Sequence, residues 1–110
     1  MVEIKHKVIS HLGLATRASK CVTGDEKVMQ AIRNKQAKLV ILSTDASDGT
    51  KKKVMDKCKS YDIPLFEYMT MEEIGNSTGK SERATAAVMD AGFAKMIHNC
   101  IAQLAEVNKY

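Results

Sequence analysis

The run KLVILST, from Lys38 to Thr44, is the stretch that decides the fold. Its consecutive residues Leu39–Leu42 are all branched and apolar, so both faces of an extended chain would be apolar here. A strand with two apolar faces must be covered on both sides, as it is between two layers of helices. The stretch therefore predicts a central strand of a sheet with helices on either face.

Three further segments predict strands around this one. IPLFEY, at 63–68, is a second core strand, and Pro64 stands at its start, where a missing N–H costs least. KCVTG, at 20–24, is a short extended piece, and ATAAVMD, at 84–90, is a strand of small residues. About four strands are expected.

Amphipathic helices are predicted between these strands, because apolar residues recur at helical spacing. In 3–18, for example, Val8, Leu12 and Ala15 share one face. Two helix starts are expected to carry a capping box, in which a hydroxyl and a carboxylate three residues later bond to the helix start. These are Thr23 with Glu26 and Thr70 with Glu73. The remaining predicted helices span about 50–61 and 91–107, and the two capped ones end near Asn34 and between Asn76 and Gly79.

Helices and strands thus alternate along the chain, which is typical of the α/β class. We predict a three-layer α/β/α sandwich with a central mixed sheet of about four strands. The 110 residues, 45% of them apolar, suffice for a single domain covering 1–110.

Composition limits the functional classes. A net charge of +4 and a pI near 9.0 admit a polyanionic partner. Three widely separated cysteines and no cleavable apolar leader indicate reduced thiols and a cytoplasmic protein. No run approaches the roughly 20 apolar residues that span a bilayer, so no membrane association is expected.

GNSTGKS, from Gly75 to Ser81, resembles the phosphate-binding loop of nucleotide-binding proteins. It is one residue short, since Ile74 stands where the first glycine should be. It also lies between a predicted helix and a predicted strand, whereas a phosphate-binding loop leads from a strand into a helix. We therefore predict no nucleotide cofactor. Gly75 and Gly79 are instead expected to end the preceding helix, where left-handed conformations suit glycine. Nucleotide binding stays as a third, enzymatic alternative, which the absence of any effect of ATP or GTP on the melting temperature would close.

No other enzymatic site is predicted. The histidines, His6, His11 and His98, have no acidic or cysteine neighbour at a spacing typical of a catalytic triad or a metal site. No pair of carboxylates suits acid–base catalysis. Catalytic residues, metal ligands and cofactors are thus all predicted to be absent.

Three segments together resemble the ribosomal L7Ae family, which includes the L30e proteins. They are 23–47, 57–80 and 84–97. Taken in order, these segments carry the run AKLVI, an acidic turn, IP at the start of a strand, and IG followed by GK before a strand of small residues. The likeness runs from about Leu12 to Ile97, and within the family it is closest to the small bacterial YlxQ-type members. It implies an α/β/α sandwich that binds RNA, commonly at a kink-turn.

The resemblance also implies where the RNA is bound: at the start of the second helix and in the loop before the last strand. Of the family's helix motif this chain keeps the glycine, Gly24, while Glu26, Lys27 and Gln30 replace the motif's Asn, Glu and Lys. In the loop, polar residues stand where family members often carry apolar ones. The predicted RNA-binding residues are Gly24, Asp25, Glu26, Lys27, Gln30, Arg33, Lys80, Ser81, Glu82 and Arg83.

Two functions follow as expectations. The first is a non-enzymatic, ribosomal protein-like RNA-binding protein, a monomer whose partner is ribosomal RNA or another kink-turn RNA, with the ribosome as a candidate assembly. The second is a protein-interaction module of the same fold that has lost specific kink-turn recognition.

Overall fold

The computed structural model describes residues 2–104 and 108–109. This part of the chain forms five helices and five strands in alternation: α1 Val2–Arg17, β1 Cys21–Thr23, α2 Asp25–Arg33, β2 Leu39–Leu42, α3 Asp48–Ser60, β3 Leu65–Glu67, α4 Met71–Ser77, β4 Thr85–Val88, α5 Ala91–Ile101 and β5 Asn108–Lys109.

The strands form one mixed sheet in the order β1-β4-β2-β3-β5. β2 and β3 are parallel, whereas β4 is antiparallel to both β1 and β2, so β1, β2 and β3 all point the same way. All four residues of β2 are buried, as expected of a central strand. The four predicted strands are present, and the short strand β5 beside β3 was not predicted.

Helices cover both faces of the sheet, which confirms the three-layer α/β/α sandwich. Leu39 and Ile41 point into a core shared with α1, α4 and α5. Val40 and Leu42 point the opposite way, into a core shared with α2 and α3. The period-two alternation of a strand explains how one short apolar run serves both cores.

The helix starts differ in how they are capped. The predicted capping box of α4 is confirmed: Thr70 Oγ1 accepts a hydrogen bond from Glu73 N, and Glu73 Oε1 accepts one from Thr70 N. The predicted box at Thr23 is wrong, because Thr23 is the last residue of β1 and Gly24 takes the N-cap position of α2. A glycine has no side chain with which to cap a helix.

The last helix is shorter than predicted. α5 ends at Ile101, and Gln103 N and Leu104 N then donate to the carbonyls of Cys100 and Ile101. These tight i to i−3 bonds close the last turn and leave Leu104 buried. The predicted continuation through 105–107 lies outside the described residues. In the described part of the chain, no helix has the length and apolar character needed to cross a membrane.

An ion pair ties α4 to α1 and predicts a pH dependence of stability. Partial burial raises the pKa of the Glu73 carboxyl, but hydrogen bonds from Thr70 and the Lys5 ammonium, 3.0 Å away, lower it more, and the net pKa lies below its ordinary 4.5. A lowered pKa contributes stability above pH 4.5 that is lost as the pH falls through the folded-state value. We expect Glu73→Gln to cost about 0.5–1 kcal/mol at pH 7 and progressively less below pH 4.5.

Urea unfolding of both proteins between pH 7 and pH 3 measures this difference. Glu72→Gln is the control, since Glu72 is exposed and in the same first turn, yet forms no ion pair within the described residues. A Glu73→Gln effect that does not change with pH would contradict the prediction.

Candidate nucleic-acid interface

The two predicted contact segments meet at one edge of the sheet, the edge where β1, β2 and β3 end, here called the carboxyl edge. β1 ends at Thr23, which pairs with Ala86 near the start of β4. Gly24 N donates to Thr85 O over 3.2 Å. The antiparallel pairing therefore places the start of α2 beside the loop that leads into β4.

The start of α2 is open to a ligand. Gly24 has φ 94° and ψ 147°, a conformation that costs non-glycine residues about 1–3 kcal/mol. The first helical hydrogen bond runs from Val28 N to Gly24 O, so the preceding N–H groups have no partner within the helix. Among the described residues no side chain caps α2, whereas Ser47, Thr70 and Asp90 cap α3, α4 and α5.

The outer face of α2 carries the predicted polar residues. Glu26, Lys27 and Gln30 are exposed and Asp25 is half-buried, while Val28 and Ile32 on the inner face are fully buried. The buried face fixes the rotation of the helix, and with it the direction of the polar side chains.

Arg33 is not brought to the carboxyl edge. It is the last residue of α2, eight residues after Asp25, which places it about 12 Å further along the helix axis. The other nine predicted residues lie at the start of α2, within its first two turns, and in the loop that leads into β4.

The loop before β4 is held in place by α4. Lys80 N donates to Gly75 O over 2.8 Å, and Arg83 N donates to Met71 O over 3.1 Å. Gly79, with φ 72°, makes the left-handed turn that ends the helix, as predicted for it.

Gly75 has a different role from the one predicted, because it lies inside α4 and does not end the helix. A Cβ at this position would lie 2.0 Å from the backbone oxygen of Ser81. Gly75 thus provides the room in which the loop packs on the helix. The only signal of this in the sequence is a glycine inside a helical pattern, which marks close backbone approach without naming the partner.

Loop side chains are presented at the surface. Lys80, Ser81 and Glu82 are exposed and Arg83 is half-buried. Arg83 Nη1 donates to Ser81 Oγ over 2.8 Å and to Glu82 O over 3.0 Å, which orders the guanidinium across the loop. Within the described residues, Lys80 forms no ion pair.

Charges at the predicted site nearly cancel. The ten residues include four cations, Lys27, Arg33, Lys80 and Arg83, and three carboxylates, Asp25, Glu26 and Glu82. With Arg33 at the far end of α2, the nine predicted residues at the carboxyl edge comprise three cations and three carboxylates. Charge alone therefore gives these residues little net attraction for a polyanion, and any selectivity must come from hydrogen-bonding geometry.

The described residues offer few groups suited to metal binding, thiol chemistry or nucleotide binding. In 2–104 and 108–109 no three His, Cys, Asp or Glu residues are arranged to hold a metal ion. Burial raises the pKa of Cys58 to about 12 and also raises that of Cys21, despite a hydrogen bond from Thr16, so neither thiol is readily ionised. GNSTGKS covers the end of α4 and the start of the loop before β4, so it leads from a helix towards a strand, the reverse of the order in a nucleotide-binding loop.

The fold and the carboxyl edge together define a class of small α/β/α proteins. In this class the uncapped start of the second helix lies beside the loop that leads into the fourth strand. The chain matches the profile of the Ribosomal protein L7Ae/L30e/S12e/Gadd45 family over residues 6–98, and it belongs to that family. The resemblance inferred from the sequence is thereby confirmed.

Relatives with curated names support the same assignment. The chain is 48% identical to the RNA-binding protein YlxQ of Bacillus subtilis over 86 residues, 78% of this chain and 86% of that protein. It is 31% identical to the large ribosomal subunit protein eL30 of Methanosarcina mazei over 94 residues, 84% of this chain and 87% of that one.

Solved structures confirm the fold. A protein of unknown function from Bacillus halodurans superposes with a TM-score of 0.84 at 46% identity, covering 87% of this chain and 97% of the other. The Giardia lamblia 15.5kD RNA binding protein superposes with a TM-score of 0.75, covering 92% and 87%. At 13% identity the second likeness concerns the fold alone.

Proposed function

We propose that this protein is a non-enzymatic RNA-binding protein that recognises a kink-turn or a related structured RNA at the carboxyl edge. The observation that carries the proposal is the pairing of β1 with β4, which sets the uncapped start of α2 beside the loop of residues 79–83. Membership of the family and the relative named RNA-binding protein YlxQ support it. The partner would be ribosomal RNA or another kink-turn RNA, bound in the cytoplasm by a monomer.

At the start of α2 the backbone and the side chains have separate tasks. The open N–H groups of the first turn and the positive end of the helix dipole attract a phosphate, and Gly24 lets it approach closely. Lys27 and Gln30, three residues apart on one face, then reach base edges: Lys27 can donate to guanine O6 and N7.

The loop provides the second contact. Lys80 can neutralise a phosphate, and the half-buried alkyl stem of Arg83 can cover an unstacked base. Because these groups are polar, binding should depend more on salt than it would with an apolar loop.

A kink-turn RNA titrated against a plain duplex of equal length, in the same buffer and salt, tests the proposal. We expect the kink-turn to bind more tightly by at least about tenfold, because a duplex keeps its bases stacked and its edges out of reach. Equal affinities would overturn kink-turn recognition and leave only charge-driven binding.

Substitution of Lys27 tests whether α2 reads bases. We expect Lys27→Ala to weaken binding of the kink-turn by about 1–3 kcal/mol and to reduce discrimination between base sequences at the contacted step. Lys7→Ala, an exposed residue of α1, is the control and should leave affinity nearly unchanged. A loss for Lys27→Ala that is uniform across RNA sequences, with a smaller salt slope, would show a phosphate contact instead.

A protein-interaction module is the second candidate function. The near balance of charges at the carboxyl edge favours it, since polyanion binding usually needs a cationic surface. Capture of partners from a lysate with and without RNase separates the two functions. Partners retained after RNase would support the module, and their loss would support RNA binding.

A further inference from the structure

The end of the sheet opposite the carboxyl edge, here called the amino edge, is strongly cationic. Three depressions reach this end, and lysines line all of them. One, of about 390 Å³, lies between α2 and α3 and is lined by Lys53 and Lys57. The next, of about 640 Å³, is lined by Lys35 and Lys38.

These depressions adjoin, since they share lining residues. Ser60 belongs to the first and the second, and Lys38 belongs to the second and to a third, of about 250 Å³. Lys95 on α5 lines the third. We name this continuous surface the basic track, defined by Lys35, Lys38, Lys53, Lys57 and Lys95.

Few negative charges oppose the basic track. Asp56 and Asp62 are the carboxylates among the described residues that line it. Asp56 is already paired with Lys52, at 3.3 Å. Arg33 adds a cation, because it lies four residues after Met29, which lines the first depression, and so shares its face of α2.

The basic track is also well placed relative to the carboxyl edge. α2 and α3 both begin at that edge and lie in one layer, and the groove between them leads to the amino edge. An RNA stem that leaves the start of α2 can therefore follow the groove. The 13 residues of α3 span about 20 Å, comparable with a substantial part of a helical turn of RNA.

We propose that the basic track binds the sugar–phosphate backbone of a stem flanking the RNA element held at the carboxyl edge. This inference rests on the proposed function. Lysine ammonium groups are compact point charges suited to phosphate. On the track, Lys57 Nζ lies 6.0 Å from the centroid of the half-buried Tyr61 ring. Contacts to the backbone carry no sequence information, so the track adds affinity and orientation while the carboxyl edge provides selectivity.

Two matched double variants test the proposal. Lys53→Gln/Lys57→Gln removes two charges from the basic track. Lys7→Gln/Lys59→Gln removes two charges from exposed lysines that do not line the track, and it leaves the pair of Lys52 with Asp56 intact. Each phosphate contact contributes about 0.7–0.9 to the salt slope of log Kobs, so we expect the track variant to lower the slope by about 1–2 and to weaken binding about tenfold at moderate salt. The control should change affinity by less than about threefold.

Shortening the RNA separates contact from long-range attraction. On a kink-turn RNA whose flanking stem is cut to a few base pairs, wild type and track variant should bind within about twofold of each other. An undiminished difference on the short RNA would overturn the proposal, as would equal losses for the two double variants. If Lys53→Gln/Lys57→Gln has a much lower melting temperature than wild type, Lys35→Gln/Lys38→Gln, in the connection between α2 and β2, repeats the test.

The outcomes also distinguish this proposal from the proposed function. If wild type prefers the kink-turn to the duplex while the two double variants behave alike, only the basic track is overturned. If wild type shows no preference for the kink-turn, the proposed function fails, and the inference that rests on it fails too.

Discussion

Replacing Gly75 with alanine is expected to destabilise the protein by about 1–3 kcal/mol and to displace the loop of residues 79–83. An added Cβ would lie 2.0 Å from Ser81 O and 2.6 Å from Ser81 C. Both neighbours are backbone atoms, so no side chain can rotate away to relieve the overlap. The hydrogen bond from Lys80 N to Gly75 O, at 2.8 Å, would be lost or lengthened.

Urea unfolding measures the stability, and titration of a kink-turn RNA at a temperature where the variant is folded measures the loop. We expect a loss of at least about tenfold in affinity beyond that due to unfolded protein, because small displacements of contact groups are costly. Gly49→Ala is the matched control: Gly49 lies in the first turn of α3 with nothing within 4 Å of an added Cβ. It should be neutral or stabilise by up to about 1 kcal/mol. A Gly75→Ala protein of wild-type stability would contradict the packing described above.

Replacing Gly24 with alanine is expected to have the second large effect, for a different reason. Nothing lies within 4 Å of an added Cβ, so no clash results. The cost comes from the backbone, since φ 94° with ψ 147° is almost restricted to glycine, and it should amount to about 1–3 kcal/mol. The chain can relieve this strain only by moving the start of α2.

Movement of this helix start should affect the hydrogen bond from Gly24 N to Thr85 O and the open N–H groups of the first turn. We therefore expect Gly24→Ala to weaken RNA binding about tenfold or more at a temperature where the protein is folded, again with Gly49→Ala as control. Unchanged affinity in a destabilised variant would show that the start of α2 does not contact the RNA. The proposed site would then reduce to the loop.

Much of the fold could be predicted because short-range patterns are strong here. Because β2 is apolar on both faces, both had to be buried against helices, and helical periodicity in the sequence identified those helices. Thr70 and Glu73 predicted a capping box correctly because both partners lie within one turn. The failure at Thr23 shows the limit of such motifs, since pairing of Thr23 with Ala86 across the sheet moved the helix start one residue on.

The candidate site was predicted only in part. The resemblance to the family indicated which segments to consider, but which residues meet was outside its reach. Arg33 was grouped with Lys27 by its place in the same segment, and the length of α2 separates them by about 9 Å. The basic track was not predicted at all, because its lysines come from α3, α5 and the connection between α2 and β2.

The sequence by itself determined the class of fold, the order of its helices and strands, and the family. These depend on periodicity, local capping and motif order, which act between residues close in the chain. The tertiary structure alone decided that Gly24 abuts Thr85, that Gly75 makes room for Ser81, and that five distant lysines share one surface. Such contacts arise from strand pairing and from packing between elements far apart in sequence, where no local pattern specifies the partner.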